Sequence, residues 1–337
     1  MDASSRKRSP HASATADAKA SAGGPCRGRF APTPSGRMHL GNAFVALLSW
    51  LSVRSQGGTL VLRVEDLDPR TRQADAAELL MRDLDWLGLC WDEGPFYQSE
   101  RGELYRDAID RLERDGLTYP CFCSRSELHA ASAPHASDGT YVYRGTCRHL
   151  SAQEVARRQA QRPPALRLRV PDEGSPGDRV EFVDLCCGAC HELLSRDCGD
   201  VLVRRSDGIV AYQLAVTVDD GLMGVSEVVR GHDLLGSTAR QMYIARLLGL
   251  EPPRYAHVPL LVAPDGRRLS KRDRALGLDS LRAAGVSPRR VTGALASLAG
   301  LASPGEELAP ADLVSRFDWD VVRRCPPQVT VRETLMA

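Results

Sequence analysis

The chain has 337 residues, 43% of them hydrophobic and 26% charged, with a formal net charge of +1. That is enough apolar material for a substantial core in two or three subdomains, while no apolar run approaches the roughly 18 residues of a membrane span. The balanced charge gives no global attraction to polyanions, and ten cysteines in a chain of this size read as reduced thiols or metal ligands rather than disulfides, so a cytoplasmic protein with no membrane association is expected.

Residues 1–26 are rich in Ser, Ala, Gly, Lys and Arg and read as a disordered polar tail, because they cannot bury enough to offset the entropy of ordering. They lack the apolar centre of a secretory signal, and Asp2 and Asp17 argue against a transit peptide. From Arg27 the pattern is α/β. A short strand ends near Ala31, a Pro/Gly turn follows, then an apolar helix from about Leu40 to Arg54, a Gly57-Gly58 break, and a strand from Thr59 to Glu65. A second helix is predicted from about Arg72 to Leu87, with Asp75, Glu78 and Arg82 on its solvent face.

This alternation favours a parallel sheet with right-handed crossovers, and residues 27–120 read as the first half of a Rossmann-like domain. Residues 121–199 break the rhythm with turns, cysteines and arginines and read as an inserted subdomain. The second half, 200–274, opens on the strand-like Val201–Arg204. Alternation then resumes with strand-like runs Tyr212–Val218 and Val225–Arg230, a helix from Ser237 to Leu248, and His257–Val262. Residues 275–337 read as a short helical C-terminal appendage, and there is no internal repeat.

Two segments carry candidate chemistry. Arg29-Phe30-Ala31-Pro32-Thr33-Pro34-Ser35-Gly36-Arg37-Met38-His39-Leu40-Gly41-Asn42 puts prolines, glycines and an imidazole between a strand and a helix. Ligands of open α/β sheets lie beyond the carboxyl ends of strands, and a helix start favours anions. Gly41 would let a base or ribose approach the backbone, and His39 could donate to a phosphate. Alternatively, the prolines only end the strand and His39 only caps the helix.

The second segment holds Lys271, the one lysine besides Lys7 and Lys19 in the tail, in Arg267-Arg268-Leu269-Ser270-Lys271-Arg272-Asp273. A lysine is a mobile point charge where an arginine is a planar fork, so a moving phosphate can distinguish them. Survival by chance in an arginine-biased composition is the competing reading.

Together the two segments resemble the HIGH and KMSKS signatures of class I aminoacyl-tRNA synthetases, as His39-Leu40-Gly41-Asn42 and Arg268-Leu269-Ser270-Lys271-Arg272. Arg-Phe-Ala-Pro-Thr-Pro-Ser-Gly followed by Arg63-Val64-Glu65-Asp66-Leu67-Asp68 resembles the glutamyl branch of that family. Asn42 stands where the signature has its second histidine and can still donate a hydrogen bond; Arg268 and Arg272 stand where it has Lys and Ser.

The resemblance implies a catalytic α/β fold with His39 and Lys271 as catalytic groups. It implies a glutamate pocket of Arg29, Ala31, Thr33, Glu65, Tyr212 and Arg230, and ATP contacts from His39, Gly41, Asn42, Leu269, Ser270 and Lys271. Magnesium would accompany ATP. Glu65 would pair with an ammonium and the arginines with carboxylates. Apart from the family match, Glu65 and Asp68 could be surface partners of nearby arginines, and Arg230 could serve Asp233.

The chain continues for about 65 residues past the lysine, short of a helical anticodon-binding region. In this it resembles the short paralogues of the branch, the glutamyl-Q tRNA(Asp) synthetases, as does Val216 where full-length enzymes commonly have asparagine. That implies a monomeric ligase that transfers glutamate to queuosine at the wobble position of tRNA(Asp). A truncated enzyme charging tRNA(Glu) and a non-catalytic zinc-stabilised RNA-binding paralogue are the alternatives.

The short group also shows Cys-x-Cys and Tyr-x-x-x-Cys at this place, which implies one structural zinc per chain on Cys121, Cys123, Tyr143 and Cys147. His149 and the cluster Cys186, Cys187, Cys190 are rival ligands, and buried free thiols are the other reading. Arg125, Arg144, Arg148, Arg157, Arg158 and Arg162 read as either a local RNA patch or a solvated face.

Overall fold

A computed structural model describes residues 25–34, 36–70, 75–124, 127, 142–269 and 276–331. The predicted tail up to residue 24, the first residues of the predicted second helix (Arg72 to Ala74 side), Arg125, Ser270 and Lys271 lie outside the described residues.

The main sheet has seven strands. In chain order these are β1 (Arg27–Phe30), β2 (Thr59–Val64), β3 (Glu93–Tyr97), β6 (Arg179–Asp184), β7 (Gly188–Leu193), β9 (Glu227–Gly231) and β10 (Arg254–Val258). Their spatial order is β3-β2-β1-β9-β10-β6-β7, parallel throughout except for β7, which forms a hairpin on β6. From β1 the first half of the chain winds one way and the second half the other, so the strand order reverses between β1 and β9. In open sheets the crevice beyond that reversal is where ligands bind.

Neighbouring residues on β9 and β10 point to opposite faces, as strand geometry requires. Val229 and Ala256 belong to one apolar core, and Val228 and Tyr255 to the other. The first core is built on helix α1 (Leu40–Ser55), whose Leu40, Phe44, Leu47, Leu48 and Leu51 are all buried, and on α2 (Ala76–Leu87), which contributes Leu80, Leu84 and Leu87. The second core contains Tyr105, Ile109 and Leu112 of α3 (Gly102–Arg114).

Residues 121–199 contribute to two sheets. Strand β5 (Ala165–Leu168) lies between β4 (Thr118–Cys121) and β8 (Val201–Arg204) in a separate antiparallel sheet, whereas β6 and β7 extend the main one. A short exposed helix, α4 (Ala152–Gln159), precedes β5 and is closed by a Ser151/Glu154 capping box.

One expected strand is a helix. Tyr212–Val218 forms the start of α5 (Tyr212–Leu222), whose residues Leu214 through Asp220 are all buried. Burial on every side erases the 3.6-residue alternation by which an amphipathic helix is recognised, leaving a β-branched apolar run. The predicted helix near 237–248 is α6 (Thr238–Leu247), entered through a 3-10 turn, His232–Ser237. The predicted run His257–Val262 divides: β10 stays in the main sheet, and β11 (Leu260–Val262) pairs with β12 (Gln328–Thr330).

The C-terminal helices α7 (Leu278–Ala283) and α8 (Pro288–Leu298) place Leu278, Leu281, Val291 and Leu295 in the same core as α1. They are part of the body rather than an appendage hung from it.

Candidate active site

A cavity of about 430 Å³ opens at the strand-order reversal. Arg29, Ala31, Thr33, His39, Gly41, Asn42, Glu65, Tyr212 and Arg230 all line it, together with Asp233 and Arg268. Every described residue assigned to the glutamate and ATP contacts is therefore present except Leu269, which is buried in the first core.

The strand-to-helix turn sets the first wall. His39 is the N-cap of α1: its Nδ1 accepts from the Gly41 amide at 3.1 Å, and Asn42 Oδ1 accepts from the His39 amide at 3.5 Å in a capping box. The capping reading of His39 thus holds, and it has a chemical consequence. An Nδ1 that accepts a hydrogen bond leaves the ring proton on Nε2, so a neutral His39 presents a donor there. A Cβ on residue 41 would stand 3.0 Å from the His39 ring, which explains glycine at this place as a matter of seating the imidazole.

Beneath the cavity lies a buried ion cluster that the sequence did not announce. Arg63, fully buried, bonds Asp220 at 2.6 Å and reaches Glu65 at 3.4 Å and Asp219 at 3.6 Å. Arg29 Nε stands 3.4 Å from the same Asp220 as an ion pair, and its Nη1 donates to the Val229 carbonyl at 3.2 Å. Asp219 is anchored by Gln98, Arg101 and Tyr105. Burial raises the Glu65 carboxyl above its ordinary range despite the opposing Arg63 and Arg29. For Asp220 burial also works against the charge, but Arg63 and Arg29 outweigh it and hold the carboxyl below its ordinary range. Glu65 is accordingly a cavity acid rather than a surface partner, whereas Asp68 does pair with Arg70 and Arg205.

Arg230 forms the opposite wall. It donates to His257 Nε2 at 2.9 Å, Gln241 Oε1 at 2.6 Å, Thr238 Oγ1 at 2.9 Å and the Leu234 carbonyl at 3.2 Å, and it stacks 5.0 Å above the Tyr255 ring. It does not serve Asp233, which pairs with Arg268 on the rim. The late loop returns beside the first crossover: Gly277 bridges to His39, and the Leu278 amide donates to the Met38 carbonyl at 3.0 Å. Of the residues on either side of the segment that carries Lys271, Arg268 lines this cavity and Gly277 bridges to His39 on its wall. With arginines on two sides, an acid on the third and an imidazole N-H at a helix start, the arrangement can bind a zwitterion with an extra carboxylate next to an anion.

The cysteine cluster stands apart in the small sheet. The sulfurs of Cys121, Cys123 and Cys147 lie within 4.8 Å of one another, the only such group of possible metal ligands among the described residues. Tyr143 Oη is 3.4 Å from Cys121 Sγ and 3.6 Å from Cys123 Sγ, and Cys123 Sγ is 3.6 Å from Cys147 Sγ. Ligands at about 2.3 Å from a tetrahedral zinc sit about 3.8 Å apart, so the donor set fits that ion. Burial pushes the Cys123 thiol up to about 12, so a thiolate there needs a cation beside it. The Cys147 amide donates to Tyr143 Oη at 2.8 Å, which suits an oxygen ligand. His149 is exposed and outside the group, and Cys186, Cys187 and Cys190 form no such group.

Of the arginines read as an RNA patch, Arg148 is tied to Asp172 and the Val170 carbonyl, while Arg144 and Arg157 are exposed.

The fold and cavity define an open-sheet α/β enzyme with its ligand site at the strand-order reversal. Residues 25–325 match the family of class I tRNA synthetases (E and Q), catalytic domain. The chain is 48% identical over 322 residues to a glutamyl-Q tRNA(Asp) synthetase of Symbiobacterium thermophilum, covering 92% of this chain and 97% of that one. It is 46% identical over 299 residues to a glutamyl-Q tRNA(Asp) synthetase of Nitratidesulfovibrio vulgaris, covering 86% and 90%. A glutamate tRNA ligase of Elizabethkingia meningosepticum, crystallised with its amino acid, shares the fold with a TM-score of 0.77 at 24% identity, over 93% of this chain and 68% of that one. The chain therefore belongs to the glutamate and glutamine family of class I tRNA synthetases, on the side of its glutamyl-Q tRNA(Asp) members, and is a ligase.

Proposed function

We propose that the protein activates L-glutamate with ATP and transfers it to queuosine at the wobble position of tRNA(Asp). The observation that carries this is the convergence of Arg29, Glu65, Tyr212, Arg230 and His39 on one cavity at the strand-order reversal. Glu65 receives the substrate ammonium, whose arrival offsets the cost of its buried charge. Arg29 and Arg230 take the carboxylates through charge-assisted bonds, and Tyr212 orients polar groups with its hydroxyl.

The α-carboxylate oxygen then attacks the α-phosphorus of ATP, the bond to the bridging oxygen breaks, and pyrophosphate leaves. His39 Nε2-H, the positive end of the α1 dipole, and Lys271 stabilise the charge that grows on the phosphate, so catalysis rests on positioning and electrostatics. The lining of the cavity by Arg268 and the pairing of Gly277 with His39 support the lysine's role. Magnesium, arriving with ATP, shares in neutralising the phosphates. A cyclopentene-diol hydroxyl of queuosine next attacks the activated carbonyl and releases AMP. One structural zinc per chain, on Cys121, Cys123, Cys147 and Tyr143, holds the small sheet, and the monomer works in the cytoplasm.

Transfer of radiolabelled glutamate to tRNA(Asp) with and without queuosine tests the reading. Label on the modified tRNA alone is expected. Label at the terminal ribose of tRNA(Glu) would favour a charging enzyme, and RNA binding without glutamate-dependent pyrophosphate exchange would leave only a binding protein.

A further inference from the structure

Arg230 and His257 are register partners on the parallel strands β9 and β10, so their side chains emerge side by side on one face. Next in the sheet, β6 ends on Asp184, which pairs with Tyr255. The Asp184 carboxylate takes the His257 ring at Nδ1 (2.6 Å) and the amides of His257 (3.1 Å), Cys186 (2.9 Å) and Cys187 (2.9 Å). Both side chains of this Asp-His pair are fully buried. A carboxylate with four donors accepts only, so the ring proton must sit on Nδ1. Nε2 is then a lone pair, and it faces the Arg230 Nε-H at 2.9 Å.

We infer that Asp184 and His257 are positioning residues for the cavity arginine: the carboxylate fixes the imidazole in the Nδ1-H form, and the imidazole holds Arg230 as an acceptor. The sense of the relay matters. A protonated ring would set a cation against the guanidinium and release it, so the arginine is fixed only while His257 is neutral. The groups facing the ring are Asp184, Arg230, His232, Tyr255 and Thr238, whose Oγ1 lies 3.3 Å from Nε2, and burial with Arg230 beside it keeps the ring uncharged by pulling its pKa down to about 4, against the opposing Asp184. The rest of the guanidinium is equally constrained. Gln241, which accepts from its Nη1, is itself oriented by donating to Gln213 Oε1 at 2.8 Å. The hairpin of β6 and β7 thereby acquires a role in the site, since it carries the carboxylate from which the relay starts.

This rests on the reading of Arg230 as a glutamate ligand, and the test separates the two. In wild-type protein with 15N-labelled histidine, Nε2 of His257 is expected to show the shift of a non-protonated acceptor at neutral pH and Nδ1 that of an N-H. A protonated Nε2 overturns the relay whatever the substrate proves to be. In glutamate-dependent adenylate formation, His257→Leu is expected to raise the KM for glutamate about tenfold to a hundredfold, with the KM for ATP unchanged. His257→Gln, whose carbonyl can accept from Arg230, should recover most of the loss. An unchanged glutamate KM in folded His257→Leu also overturns the relay; a leucine variant that does not fold leaves the decision to the wild-type spectrum. Wild-type protein that activates no glutamate refutes the functional reading instead.

Discussion

His39 illustrates how a single residue was legible and where legibility stopped. The strand, proline turn and His-x-Gly-Asn order fixes an imidazole at a helix start, because the cap needs an acceptor just ahead of the first apolar turn. Nothing local signals the charges beneath it. Arg63 is far in sequence from the adjacent Asp219 and Asp220, and only the meeting of β2 with α5 makes them one cluster. Arg63→Met leaves three carboxylates with a buried cation gone, so it should destabilise the fold by about 3–5 kcal/mol, read from urea unfolding. Lys271→Ala acts on the other limb. Glutamate binding by calorimetry is expected to stay near the wild-type value while adenylate formation falls about a hundredfold, the usual loss for one transition-state donor. Unimpaired turnover in that variant would strip Lys271 of its role.

Among the elements, the β1-α1-β2 unit was readable because its apolar runs are bounded by glycine and proline, and α6 and the short C-terminal helices were readable for the same reason. α5 was misread as a strand since it is buried on all sides, and the joining of β6 and β7 to the main sheet was invisible because pairing with β10 is a long-range choice. That junction has a pH signature. His257 in the folded chain titrates at about 4 against an ordinary 6.5, so between those values the unfolded chain binds the extra proton. Asp184, held low mainly by His257 against its own burial, acts in the same direction. Stability should therefore be complete above about pH 6.5 and fall as the pH drops towards 4, by up to about 3 kcal/mol. Urea midpoints across this window test it: His257→Gln should show a shallower fall, and identical slopes would refute the assignment.

The small sheet offers a parallel case. Gly199 has φ +64°, and a Cβ there would stand 2.5 Å from the Tyr143 carbonyl oxygen. Gly199→Ala should displace Tyr143, the proposed fourth ligand, and, like Cys123→Ser, is expected to lower zinc content by metal analysis from about one ion per chain. Full zinc occupancy in both variants would refute the site.

For the molecule as a whole, the +1 charge means that long-range attraction cannot bring an RNA to the cavity, so recognition must depend on a local surface. The exposed Arg157 of α4 and Arg144 of the loop beside the cysteine cluster are candidates for it. Their geometry separates two kinds of positive charge. Arg148 is bound up with Asp172 and the Val170 carbonyl and holds the loop, whereas Arg144 and Arg157 face solvent. If the solvent-facing pair contacts phosphates, each reversal to glutamate removes roughly one released counterion. The slope of log binding constant against log salt for tRNA should become shallower by about 0.7–0.9 per residue. Adenylate formation without RNA should be unchanged, because neither residue touches the cavity. Arg148→Glu should behave differently, losing stability first. A salt slope equal to that of the wild type in the Arg144→Glu, Arg157→Glu double variant would mean that the arginine face is merely solvated and that the tRNA approaches from another side.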